Sequence, residues 1–337
     1  MRRSELVVEP FRVDNGQGWS LELVRSVRRG GPEAGRRPLL MVPGYAMNSF
    51  ILGYHPSDVS MVEHLALAGV EVWTCNLRGQ GGSAAARGQG PPGPSTSRVR
   101  RYGLAELALV DLPAVIAELR RRTTTGTDRV DLVGCSLGAS LLYAWLAHHP
   151  ADHGAGAVIA VGGPLRWEAV HPAMALAFTS PRLAGALPFR GTRALAAASL
   201  PWLSRAPGLL SLYMNARRID LSNPAELART VEDPVPWINR QVAHWVRQRD
   251  LVVGGLNICE AIGAVDLPVL VVMANRDGIV PASTARSVQR LMRLGRVQVL
   301  EVGDERNWYA HADLFIGRDA RRQVFEPMER WLAEHRS

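Results

Sequence analysis

Arg129-Val130-Asp131-Leu132-Val133-Gly134-Cys135-Ser136-Leu137-Gly138 is the stretch that decides how this chain folds. Its first half is a short, mostly apolar run of the kind that suits a strand covered on both faces. Residues 139–148, which follow, carry a helical pattern. A serine set between strand and helix lies on a sharp turn that forces its hydroxyl outward, and Gly134 and Gly138 leave room where side chains would clash. The helix start behind it presents N–H groups and the positive end of its dipole to developing negative charge. The bare glycine-x-serine-x-glycine pattern arises by chance; the strand before it and the helix after it make Ser136 a candidate nucleophile. Cys135 is expected to be a small buried neighbour, since such a turn exposes only its central residue.

Segments 5–13 and 19–27 alternate apolar and polar residues and predict two antiparallel strands joined at Asp14-Asn15-Gly16. The runs 38–42, 70–75, 130–133 and 155–161 predict central strands, with helical patterns at 58–68, 104–121 and 137–148 between them. This alternation implies an α/β fold with a mostly parallel central sheet flanked by helices. After Gly163-Pro164 the rhythm changes: residues 165–264 are rich in Ala and Leu, broken by Pro, and hold no convincing buried strand. Alternation resumes at 267–273 and 297–302 and ends in a helix at 320–335. The expected organisation is one core interrupted once. Residues 1–164 form its first part, 165–264 an inserted helical cap or lid, and 265–337 its second part. Residues 84–99, rich in Gly, Pro, Ser and Ala, read as a surface loop.

A serine hydroxyl needs a base within hydrogen-bond reach to act as a nucleophile. Of the nine histidines, His148, His149 and His153 lie at or past the far end of the nucleophile helix and read as surface residues; His64, inside a helical pattern, reads as structural. His311 follows the last strand run by a short loop and precedes the terminal helix, where a base can swing over the strand ends. The carboxylate that would fix its tautomer is expected at Asp277, in the loop after the 267–273 strand. That choice places serine, aspartate and histidine in the chain order of this kind of serine turn; Asp304 and Asp313 are the competitors. Two converging N–H groups are needed for the oxyanion. Leu137 should supply one and Tyr45, in the loop after the 38–42 strand, the other, with Ala46 as the alternative.

Gly79-Gln80-Gly81-Gly82-Ser83-Ala84 formally fits a dinucleotide-binding pattern, but a loop follows it instead of the helix that would meet the pyrophosphate. No cofactor is expected. The net charge is +8, and since the chain contains no lysine all 39 basic residues are arginine, scattered in pairs and triplets without interleaved aromatics. That argues for genome composition and against a nucleic-acid groove. Three cysteines cannot form a fully paired disulfide framework, none has metal-ligand spacing, and they suit a reducing compartment. No apolar run is long enough to span a bilayer and no secretory leader is legible, so a cytoplasmic location is expected, with peripheral membrane contact compatible with it.

Taken together, the Ser136 turn, Leu77-Arg78-Gly79-Gln80-Gly81-Gly82-Ser83, Asp277-Gly278-Ile279-Val280-Pro281 and the His311 loop resemble the α/β-hydrolase superfamily over nearly the whole chain outside 165–264. Val42-Pro43-Gly44-Tyr45-Ala46-Met47-Asn48 to His55-Pro56, and Asn257 through Ala264-Val265-Asp266-Leu267-Pro268 to Asp277, are similar to the branch of polyhydroxyalkanoate synthases and acid-lipase-like proteins. Those synthases use a cysteine nucleophile, where this chain has Ser136, which tilts the expectation towards ester hydrolysis. The resemblance implies a lipase- or esterase-like serine hydrolase, and an apolar insertion that would roof the strand ends points to a small-molecule acyl ester as its substrate. The rival expectations are an acyltransferase, with an alcohol in place of water, and a catalytically silent binding protein of this fold. Met174, Leu176, Phe178, Trp202 and Tyr213 are candidate acyl contacts, or else pack the core of the insertion itself.

Overall fold

Successive residues of a strand face opposite sides of a sheet, and the buried runs divide in that way. Leu40, Val42, Leu132, Val158 and Val271 enter one hydrophobic core. Leu39, Met41, Val133, Ile159 and Val272 enter a second, on the other face. The computed structural model describes residues 5–85, 102–178, 180–185, 190–203 and 207–336, so most of the 84–99 loop lies outside the described residues. Its strands are β1 Leu6–Asp14, β2 Trp19–Arg28, β3 Leu39–Val42, β4 Val72–Asn76, β5 Ala84–Ala85, β6 Val130–Cys135, β7 Ala155–Val161, β8 Val252–Val253, β9 Leu256–Asn257, β10 Val269–Ala274 and β11 Val297–Val302.

The main sheet runs β1-β2-β4-β3-β6-β7-β10-β11, with β5 paired to β2. β1 and β2 are antiparallel to each other, as is β2 to β4. From β4 to β11 all neighbours are parallel. The strands β3, β6, β7, β10 and β11 therefore end at one edge, where the following loops carry Tyr45, Ser136, Gly162, Asp277 and His311. In open parallel sheets that edge is where ligands bind.

The 165–264 stretch is helical, with a two-stranded ribbon of β8 and β9. Leu165, Trp167, Ile238, Val242, Trp245 and Leu251 join the first core, and Leu210, Met214, Ile219 and Leu227 the second. Between them, Leu176, Leu183, Leu195 and Trp202 are solvent-exposed. One expected surface histidine is not at the surface: His153 is buried, its Nδ1 accepting from the Ala155 N–H at 2.9 Å. Its partner lies two residues away at the start of β7, a turn that a helical pattern could not reveal. His64 Nε2 lies 2.8 Å from a Glu329 carboxylate oxygen on the terminal helix.

The loop after β4 is fixed by a buried ion pair. Asp111 ends a π turn, Leu107–Asp111, inside the helical run 104–122. It accepts from Arg78 Nη2 at 2.6 Å, from the Arg78 backbone N–H at 3.0 Å and from Asn15 Nδ2 at 2.6 Å. Both side chains are essentially excluded from water. Removing one partner of such a pair strands a buried charge at a cost of about 3–5 kcal/mol. Arg78→Met is expected to lose that much stability in denaturant titrations, with partial recovery when Asp111→Asn is added.

Candidate active site

Ser136 adopts φ 53° and ψ −122°, a strained backbone for a residue with a side chain. Its surroundings over-determine it. The Ser136 N–H donates to the Val161 carbonyl at 2.8 Å, and the Ser136 carbonyl accepts from Ala139 at 3.0 Å. A Cβ at Gly134 would stand 2.4 Å from Ala139 Cα, and one at Gly138 would stand 2.4 Å from the Val42 carbonyl oxygen. Both glycines flanking the serine are thus required by backbone packed against backbone. A Cβ at Gly44 would lie 3.1 Å from Ser136 Cβ, which puts the loop after β3 directly against the serine. Gly44, Tyr45 and Leu137 line one cleft with Gln80, Tyr102 and Ile238. Gln80 Nε2 donates to the Gly44 carbonyl at 3.1 Å, and the Tyr45 hydroxyl donates to Asn239 Oδ1. Cys135 is buried, and burial pushes its thiol far above the usual range.

His311 and Asp277 are buried side by side, Nδ1 to Oδ2 at 2.6 Å. The other carboxylate oxygen of Asp277 accepts from the N–H groups of Ile279 and Val280, each at 2.8 Å. In a neutral imidazole, a carboxylate at Nδ1 favours the tautomer with the proton on that nitrogen, which leaves the Nε2 lone pair to accept. Gly162, at φ +59°, connects this pair to the serine. A Cβ there would stand 2.9 Å from His311 Cε1, and the preceding residue, Val161, holds the Ser136 N–H.

A model of the α/β-hydrolase fold matches residues 37–308. The chain belongs to the α/β-hydrolase fold family. Among solved structures, it is similar to a membrane phospholipase A described as a bacterial virulence factor, with a TM-score of 0.61 at 15% identity over 99% of this chain and 88% of that one. The esterase EaEST from Exiguobacterium antarcticum follows, with a TM-score of 0.60 at 15% identity over 96% and 100%. The 2-hydroxy-6-oxo-6-phenylhexa-2,4-dienoate hydrolase of Rhodococcus sp. strain RHA1 has a TM-score of 0.60 at 14% identity over 98% and 99%. At these identities the likeness is one of fold. No curated protein matches the sequence.

In this α/β-hydrolase-fold chain the two competing aspartates do other work. Asp304 is exposed and caps its own turn: hydrogen bonds from the Asn307 side chain, and then from the N–H groups of Arg306 and Asn307, hold its carboxyl below the usual range. Asp313 is fully buried, accepting from Ala310 at 2.7 Å and from Asn215 at 3.0 Å. Burial pushes it up to about 7 against those bonds, with the Asp277 charge adding to the rise. The native group therefore keeps its proton at pH values where an unfolded aspartate, near about 4, has lost it. Stability from this source is full below about pH 4 and is lost as pH rises towards 7. Urea midpoints measured from pH 4 to 8 should fall over that window, and less steeply in Asp313→Asn. Asp131, pushed up to about 6 by burial in spite of Arg37, leaves a residual slope.

The candidate acyl contacts separate. Tyr213 lies beside His311, ring centroids 6.0 Å apart, with its hydroxyl towards Met47 Sδ at 3.8 Å. Phe178 lines a second cleft with Tyr45, Leu183 and Asn239. Met174 is half-buried, whereas Leu176 and Trp202 are 79% and 69% exposed. Sequence reasoning missed Gly162, and it met Gln80 only as part of a motif, without its bond to the Gly44 carbonyl. Gly162-Gly163 was legible as the end of a strand, but nothing in the sequence showed a histidine arriving there from 149 residues later.

Proposed function

We propose that the protein is a serine hydrolase that cleaves a carboxylic ester through an acyl-enzyme on Ser136. The observation that carries this reading is the strained Ser136 turn beside a buried, 2.6 Å His311–Asp277 pair. His311 Nε2 takes the Ser136 proton as the hydroxyl attacks the ester carbonyl. Asp277 holds the imidazole in the productive tautomer and stabilises the imidazolium that forms. The Leu137 and Tyr45 N–H groups receive the oxyanion, each worth about 10²–10³ in rate. His311 then returns the proton to the leaving alcohol, and in the second half activates water to release the acid. The apolar cleft of Phe178, Leu183 and Tyr45 suits an acyl chain beside that centre, and two of the similar structures are an esterase and a phospholipase.

Hydrolysis of p-nitrophenyl esters of graded chain length tests the reading, with free acid as the expected product. Acyl groups recovered on an added alcohol and not on water would instead make the enzyme a transferase. No turnover by the folded protein on any ester would reject the reading. Among the described residues no helix is long and apolar enough to cross a membrane.

A further inference from the structure

The segment 212–218 belongs to the insertion, between the short helices Pro207–Leu210 and Pro224–Ala228, yet it lies across both loops that carry the His311–Asp277 pair. On the acid side, the Leu212 carbonyl accepts from the Gly278 N–H at 3.1 Å. The approach is so close that a Cβ at Gly278 would stand 2.6 Å from Leu212 Cδ1. On the histidine side, the Tyr213 carbonyl accepts from the Ala312 N–H at 2.8 Å. Asn215 donates its backbone N–H to Asp313 at 3.0 Å and its Nδ2 to the Trp308 carbonyl at 3.1 Å. Arg218 Nε donates to that same carbonyl at 3.1 Å. Its other nitrogens reach the Tyr309 hydroxyl and Asp319 at 2.9 Å and Asn307 Oδ1 at 3.0 Å, with the guanidinium over the Tyr309 ring at 4.1 Å.

Residues 303–312 form no helix or strand, so their backbone groups have no ladder to satisfy them. A buried histidine at the end of such a loop holds its place only if the loop is fixed from outside. Two side chains converge on one carbonyl, three residues before His311, and the fork of Arg218 is spread over three further acceptors in 307–319. Planar, multidentate donation of this kind fixes geometry as well as binding.

We propose that Asn215 and Arg218 are positioning residues: the 212–218 strap holds the His311 loop against the Asp277 loop, keeping the imidazole seated on its carboxylate. The kinetic consequence rests on the serine-hydrolase reading; the structural consequence does not. Misplacing a catalytic group by about 1 Å costs up to about 10²-fold in rate. Arg218→Ala and Asn215→Ala are therefore expected to lower kcat on a p-nitrophenyl ester by about 10–10²-fold with KM near wild type. Arg217→Ala, an exposed neighbour on the same segment, is the control and should keep wild-type kcat. The low-field proton resonance of His311 Nδ1–H should broaden or vanish in the two strap variants and persist in the control. Added guanidinium should restore part of the loss in Arg218→Ala and none in Asn215→Ala.

Folded strap variants with wild-type kcat and an intact resonance would overturn the proposal, as would a loss confined to KM. Should Arg218→Ala fail to fold, Arg218→Gln keeps one donor for Trp308 and gives up the rest. An intermediate loss is expected from it, and wild-type behaviour would overturn the proposal equally. If the wild type neither hydrolyses esters nor reacts with a fluorophosphonate, the hydrolase reading falls, and the resonance alone still decides the strap.

Discussion

Ser136→Ala is expected to lose about 10⁶-fold in kcat on any ester that the wild type turns over, because members of a nucleophile–base unit act together. Its melting temperature should stay close to that of the wild type. Alanine has the same Cβ as serine and bears the same strain at φ 53°, and no hydrogen bond to the fold runs through the hydroxyl among those described. Ser136→Gly extends the argument. Glycine occupies positive φ without cost, so this variant should be as inactive as the alanine form and more stable by about 1 kcal/mol. A site that gains stability when its nucleophile is removed has its backbone strain tied to function. Steady-state hydrolysis and thermal melts of the three proteins check both halves, and an alanine variant with substantial activity would move the nucleophile elsewhere.

Asp277→Asn is expected to cost about 10⁴-fold in kcat with little change in KM. The reason lies in how the carboxylate is held. One oxygen takes the N–H groups of Ile279 and Val280 at 2.8 Å, and the other faces His311 Nδ1 at 2.6 Å. An asparagine must put its carbonyl oxygen where the two backbone donors are, since an amide NH₂ there would oppose them. The NH₂ then points at His311 Nδ1 and can only donate. Imidazole answers by placing its proton on Nε2, the atom that must accept from Ser136, so the base is lost while the shape survives. Rates should partly recover at higher pH as hydroxide or Ser136 alkoxide bypasses the missing base. A flat loss across pH would speak for a structural defect.

The fold was legible because both of its signals are local. Period-two burial marks the second half of β1 and the first half of β2, and short apolar runs mark the parallel strands, whose bounds shift by a residue or two, as at Val72–Asn76 for the predicted 70–75. That Ser136, Asp277 and His311 would come to one edge was legible for a similar reason: each follows a strand whose end can be read, and parallel strands bring their ends together. The rest depends on contacts made across long separations. His153 looked like an exposed helix-end residue until its turn partner in β7 was seen. Asp313 was weighed as a catalytic acid, and its burial under Asn215 is the work of a segment nearly 100 residues away. The exposure of Trp202 and the position of Tyr213 beside His311 were equally unreadable, because apolar residues at helical spacing look alike whichever way the helix is turned. Gly278 is the nearest thing to a missed clue: a glycine directly after the acid marks where the strap presses on the loop.

The most direct test of the central claim is stoichiometric labelling by a fluorophosphonate, with the adduct mapped by mass spectrometry. One adduct per chain on Ser136 is predicted, absent from Ser136→Ala and formed far more slowly by Asp277→Asn. A folded wild-type protein that takes no label, or takes it on a residue other than Ser136, would contradict the account.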